Sequence, residues 1–113
     1  MLTLTQYAAI FVDAVQADSR DAFVSDWSLS SVWGDPPEAE IPQSRIDALR
    51  SLWRAANYSI GEMCQFAAIS KTELSQIAFI PYRTVMNWSA DDSKIPIRDR
   101  YLILRLLKLL PEL

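Results

Sequence analysis

Residues 70–88 read Ser-Lys-Thr-Glu-Leu-Ser-Gln-Ile-Ala-Phe-Ile-Pro-Tyr-Arg-Thr-Val-Met-Asn-Trp, and this stretch decides the fold. Ser70 is followed three residues later by Glu73, the pattern of a capping box: the serine oxygen takes the N3 amide and the glutamate reaches back to the cap amide. A helix therefore starts at Lys71 and runs to about Phe79. Ile80-Pro81 interrupts it, because a residue before proline is pushed out of helical geometry. A second short helix follows over about Tyr82–Ser89. Leu74, Ile77 and Ala78 supply the inward face of the first helix, Val85 and Trp88 that of the second, and Ile80 fills the corner. Tyr82, Arg83, Met86 and Asn87 are left pointing outward, near the start and along one side of the second helix.

Working upstream, Ser59 and Glu62 form another capping box eleven residues before the first. Tyr58 with Met63, and Ile69 with Leu74, are candidate hydrophobic staples at these two starts. Ile46, Leu49, Trp53 and Ala56 form an apolar stripe on a helix opened by Pro42 and stopped at Asn57. Leu4, Tyr7, Ala8, Phe11, Val12 and Val15 do the same near the beginning of the chain. Ser19 suits the cap of a helix over about Arg20–Leu29, on which Phe23 and Trp27 share a face. Between these lies an acidic loop, Ser30–Ile41, containing Gly-Asp-Pro-Pro-Glu-Ala-Glu. Downstream, Ala90–Ile95 is a polar connection, and Pro96 opens a last helix to about Leu110. That helix carries apolar residues on more than one face, so it needs cover from the N-terminal helices or from a second copy of the chain.

The expected fold is thus all-α, a single domain of five to six helices. Two glycines in 113 residues leave little material for hairpins. An acidic helical extension, residues 1–57, packs on a helix-turn-helix module, residues 58–113. Trp53, Trp88, Phe66 and Phe79 are read as core; Trp27 and Trp33 flank the acidic loop and pack under it or face a partner.

Composition narrows the chemistry. The chain has no histidine and one cysteine, Cys64. An intramolecular disulfide, a His/Cys zinc site, a Ser-His-Asp triad and a Cys-His pair cannot be built from it. Cys64, among apolar neighbours, reads as a small buried thiol. No catalytic step, metal or cofactor is called for. No run reaches the roughly 20 apolar residues of a membrane span, and the N-terminal stretch lacks a signal peptide's basic start. A cytoplasmic protein is expected.

Net charge is −3, but it is unevenly placed. Residues 1–70 hold four basic and nine acidic side chains; residues 71–113 hold seven basic and five acidic. The cationic share sits with the two short helices. A rigid helix whose first turn is exposed suits the major groove of DNA. Arg83 has the fork to pair with guanine, Asn87 the amide to pair with adenine, and Met86 the apolar tip to meet a thymine methyl. Lys71 and Thr72, at the start of the preceding helix, stand where side chains and amides meet phosphate.

Residues 70–88 resemble the Cro and lambda-repressor-like (XRE-type) helix-turn-helix family, most closely the subgroup reading Ile-Pro-x-Arg-Thr-x-x-x-Trp. Lys94, Pro96 and Tyr101 are similar to that subgroup's basic, proline-containing connection to a final helix. The resemblance spans about Ser59–Leu110. It implies base reading by Tyr82, Arg83 and Asn87, backbone contact by Lys71 and Thr84, and double-stranded operator DNA as partner, bound by a homodimer. A bacterial or mobile-element transcriptional regulator is the function it implies. Three positions depart from the pattern. Phe79 stands where the family prefers a glycine in a left-handed turn, Ser89 where many members have glutamate, and Asp91 and Asp92 where members are often basic. Carboxylates there repel phosphate and lower nonspecific affinity. Within residues 1–57, the run Asp26–Pro42 is similar to a segment of small bacterial helix-turn-helix proteins, which implies no activity. The alternative function is a protein-interaction module, an antitoxin-like or phage-type inhibitor whose acidic N-terminal half docks on another protein.

Overall fold

The computed structural model describes residues 2–113 and is all-helical, with no strand among them. Seven α-helices are present: α1 Leu4–Gln16, α2 Arg20–Ser28, α3 Gln43–Ala56, α4 Ile60–Ala67, α5 Lys71–Ala78, α6 Tyr82–Ala90 and α7 Ile97–Leu106. Short 3-10 turns cover Ser31–Trp33 and Asp92–Lys94. Seven α-helices stand among the described residues against the expected five to six. The chain forms two compact units: residues 2–57 with Pro111–Leu113, and Tyr58–Leu110. The last three residues belong with the first unit, where the Tyr7 hydroxyl donates to the Pro111 carbonyl.

In the first unit α3 packs against α1 and α2. Their facing apolar stripes place Ile10, Phe11, Phe23, Leu49 and Leu52 in the core. Helix starts follow from local chemistry. Thr3 and Gln6 form a capping box on α1, and the Ser19 oxygen accepts the Ala22 amide at 3.1 Å on α2. Asn57 closes α3 by donating to the Trp53 carbonyl at 2.8 Å and to Ala14 of α1 at 3.1 Å.

The acidic loop is built on its two tryptophans. Trp27 Nε1 donates to Asp13 at 3.1 Å, and Trp33 Nε1 donates to the Trp27 carbonyl at 2.7 Å. Gly34, at φ 68°, turns the chain out of the 3-10 turn. Arg45 then stacks on the Trp33 ring at 4.5 Å and grips Asp35 with both guanidinium nitrogens, at 2.5 and 2.9 Å. These bonds hold the Asp35 carboxyl below its ordinary value. The folded chain therefore binds fewer protons here than the unfolded chain. The stabilisation is complete above the usual value of 3.8 and is lost as pH falls through the lower folded value. In thermal unfolding across a pH series, an Asp35→Asn variant should melt below the wild type by a constant margin at neutral pH. That margin should shrink as pH drops under about 4, where the unfolded chain's carboxyl takes up a proton while the folded one stays ionised, and should be gone below the lower folded value. A margin independent of pH would contradict the pairing.

In the second unit α4, α5 and α6 pack on one another. Ile60, Met63, Leu74, Val85, Ile103 and Leu104 are fully or almost fully buried. Both expected capping boxes are formed, at Ser59 with Glu62 and at Ser70 with Glu73. Tyr58 stacks on Phe66, ring centroids 4.9 Å apart.

Three helix ends share one device. Ala68, Phe79 and Lys108 adopt left-handed φ of 57°, 55° and 57°. After each, the next amide bonds back five residues: Ile69 to Cys64, Ile80 to Ser75, and Leu109 to Leu104. This is the Schellman arrangement, made here without glycine. It explains why α7 ends at Leu106 rather than near Leu110: the reversal at Lys108 stops it. Two core assignments are corrected. Phe79 is 93% exposed and Phe66 55% exposed. At Phe79 the left-handed backbone sends the ring away from the helix pair. Ile77, also read as inward, is half-exposed.

Candidate nucleic-acid interface

The candidate surface is the outer side of α6. Two anchors hold that helix: Val85 is completely buried and Trp88 half-buried. At 100° per residue, Tyr82, Arg83, Met86 and Asn87 then turn outward, and all four are exposed. Arg83 and Asn87 are one turn apart on the same face, a guanidinium fork beside an amide. Thr84 lies nearer the anchors and is half-buried.

The corner before α6 is fixed by three bonds. The Phe79 and Ile80 amides donate to the Ser75 carbonyl, and the Ser75 hydroxyl donates to the Ile80 carbonyl at 2.6 Å. Pro81 follows with an extended ψ of 136°, and its carbonyl accepts the Thr84 and Val85 amides. Ser75 was not legible as a functional position; a lone serine within a helix carries no signal that it will tie the following turn.

Thr72 is exposed and Lys71 half-buried at the start of α5. Lys94 is exposed on the 3-10 turn after α6, which packs against α6. The neighbouring acids have structural employment. Glu73 accepts the Ser70 amide at 3.1 Å. Asp91 accepts the Ser93 amide at 3.0 Å and its hydroxyl at 2.6 Å, and these bonds hold its carboxyl below the usual range. Both nevertheless keep negative charge near the candidate surface, so the local field is mixed rather than a continuous basic stripe.

Cys64 is buried beside α5, and burial pushes its thiol pKa upward, opposed in part by Lys71. It is an inert core thiol. Among the described residues no group of three or more Cys, Asp or Glu side chains could hold a metal ion. None of the described helices is long and apolar enough to cross a membrane.

Arg100 is the residue that sequence reading missed most completely. It is 6% exposed, and its guanidinium donates to the Tyr58 carbonyl at 2.5 Å and to the Asp92 carbonyl at 3.2 Å. It thereby links α7 both to the entry of α4 and to the loop that follows α6. Burial lowers its pKa, while nearby Asp92 raises it. The signal was present: Arg100 lies three residues after Ile97 and three before the buried Ile103, on the inward register of α7.

Neither family models, nor curated proteins, nor solved structures contain a match to this chain.

Proposed function

We propose that this chain is a sequence-specific DNA-binding protein, a cytoplasmic transcriptional regulator of bacterial or mobile-element type. It would read the major groove with α6. The reading follows the lambda-repressor-like resemblance of residues 70–88. The observation that carries it is the exposure of Arg83 and Asn87 one turn apart on a helix anchored by Val85 and Trp88.

In this reading Arg83 donates two bonds to the O6 and N7 of a guanine, and Asn87 pairs with the N6 and N7 of an adenine one step along. Met86 supplies apolar contact for a thymine methyl. Tyr82, at the first helical position, reaches a base edge or the backbone. Lys71, Thr72, Thr84 and Lys94 set the register by contacting phosphates.

A salt series on duplex binding tests this directly. If about three phosphates are neutralised, affinity should fall about 40-fold between 50 and 200 mM salt, from a slope near −0.9 per phosphate. Binding that is flat across the series would contradict the proposal, since phosphate contacts cannot escape counterion competition. Absence of duplex binding together with capture of a basic protein by residues 1–57 would favour the interaction-module reading instead.

A further inference from the structure

α6 turns two chemically unlike stripes to solvent. Tyr82 and Met86 are one turn apart and 50% and 39% exposed, although both are largely apolar. Arg83 and Asn87, also one turn apart and exposed, form a polar stripe beside them. Neighbouring residues on a helix differ by about 100° of rotation and about 1.5 Å of rise. Each turn of α6 therefore presents one apolar and one hydrogen-bonding side chain at nearly the same height: Tyr82 with Arg83, then Met86 with Asn87. Val85, completely buried, fixes that orientation.

This pairing matches the edge of a base pair. In the major groove the purine offers its hydrogen-bonding groups at one end of the pair, N7 together with O6 or N6. The C5 position of the pyrimidine stands at the other end, carrying a methyl group in thymine and only hydrogen in cytosine. A polar and an apolar side chain set side by side on one helical turn can meet both ends of a single pair.

We propose that the apolar stripe reads pyrimidine C5 methyl groups, so that methylation of cytosine at C5 strengthens binding. The proposal rests on the DNA-binding reading of α6 given above. With Asn87 on an adenine, Met86 meets the methyl of the thymine paired with it. With Arg83 on a guanine, Tyr82 turns its ring to C5 of the paired cytosine. 5-Methylcytosine carries its methyl where thymine does and keeps its pairing with guanine. The Arg83 contact is then undisturbed while the ring gains an apolar partner. Both side chains suit the task. The unbranched thioether of Met86 adapts to a small apolar target, and the Tyr82 ring has only two rotatable angles to immobilise.

The charges around α6 make such a contact count. Asp91 and Asp92 directly follow the helix, so phosphate attraction supplies less of the affinity here than on a wholly basic surface. Contacts to base edges supply correspondingly more. Burying one methyl group against an apolar side chain changes affinity about 4-fold.

The experiment uses the full chain and a duplex enriched from a random pool, prepared in three forms: unmodified, with uracil in place of thymine, and with 5-methylcytosine in place of cytosine. Titration at fixed salt reads the affinity for each. Uracil should weaken wild-type binding about 4-fold for each methyl contacted, and 5-methylcytosine should strengthen it about 4-fold. Met86→Gln, which keeps the length of the side chain, should bind the thymine and uracil duplexes alike. Tyr82→Ser should bind the cytosine and 5-methylcytosine duplexes alike. Methyl effects that persist undiminished in these variants would report altered duplex shape and would overturn the proposal. So would equal wild-type affinity for all three duplexes, a result that leaves DNA binding by α6 standing. Failure of the wild type to bind or enrich any duplex would overturn the DNA-binding reading, and this proposal with it.

Discussion

Replacing Arg100 with Met should destabilise the protein by about 2–4 kcal/mol, because it leaves the Tyr58 carbonyl buried without its donor and strips the Asp92 carbonyl of one of two. The methionine stem recovers much of the packing of the arginine stem, so the loss falls on the polar contacts. The structural consequence is local before it is global. The guanidinium holds the loop after α6 against the start of α4, and without it both segments are free to move apart. Arg100→Lys keeps the charge but has a single ammonium that cannot bridge both carbonyls in the fork geometry, so it should recover only part of the stability. Thermal unfolding reads this as a drop in Tm on the order of 10 °C for the methionine variant. A variant that melts with the wild type would mean that the buried guanidinium is dispensable.

Replacing Arg83 with Ala should weaken binding to a preferred duplex by about 1–3 kcal/mol, or roughly 5- to 150-fold, and relax the choice of base at one position. The side chain is exposed and no ion pair to another described residue ties it, so its removal should leave Tm unchanged. That separation matters. A fall in affinity accompanied by a fall in Tm would report damage to α6, whereas a fall in affinity alone reports a lost contact. Lys94→Ala should behave differently. It should weaken binding to all sequences about equally and lower the salt slope by about one, as expected of a phosphate contact. Titration of wild-type and variant proteins with specific and scrambled duplexes at fixed salt measures both effects. Equal affinity of Arg83→Ala and wild type for every duplex would remove Arg83 from the reading surface.

The parts of the fold governed by nearest neighbours along the chain were legible. Ser59 with Glu62 and Ser70 with Glu73 announce their helices because both partners lie within one turn. Leu74 and Val85 announce the inner faces of α5 and α6 by periodicity. The positions that escaped depend on geometry that the pattern does not encode. An apolar residue in a left-handed cap looks like core, yet its backbone directs it outward, as at Phe79. The end of α7 was overrun because Lys108, rather than a glycine, makes the reversal. Arg100 was overlooked because its partners, Tyr58 and Asp92, are carbonyls supplied by other elements. Trp27 and Trp33 were left between two readings, and their indole bonds to Asp13 and to the Trp27 carbonyl place them as supports of the acidic loop.

For the candidate surface, the outward positions of Tyr82, Arg83, Met86 and Asn87 followed from helix periodicity and are where the sequence pattern put them. The electrostatic setting did not follow so simply. Asp91 and Asp92 read as opponents of phosphate, but Asp91 also caps the turn that follows α6 through its bonds to Ser93. Their charge should therefore moderate nonspecific affinity without dismantling the surface. A protein organised in this way would gain more of its discrimination from base contacts and less from the phosphate field.

Selection of bound sequences from a random duplex pool, run in parallel with wild type and Arg83→Ala, bears most directly on whether α6 reads DNA. The account predicts an enriched motif containing a guanine and an adenine for the wild type, with the guanine preference lost in the variant. A pool left unenriched by the wild type, or the same motif drawn out by both proteins, would contradict it.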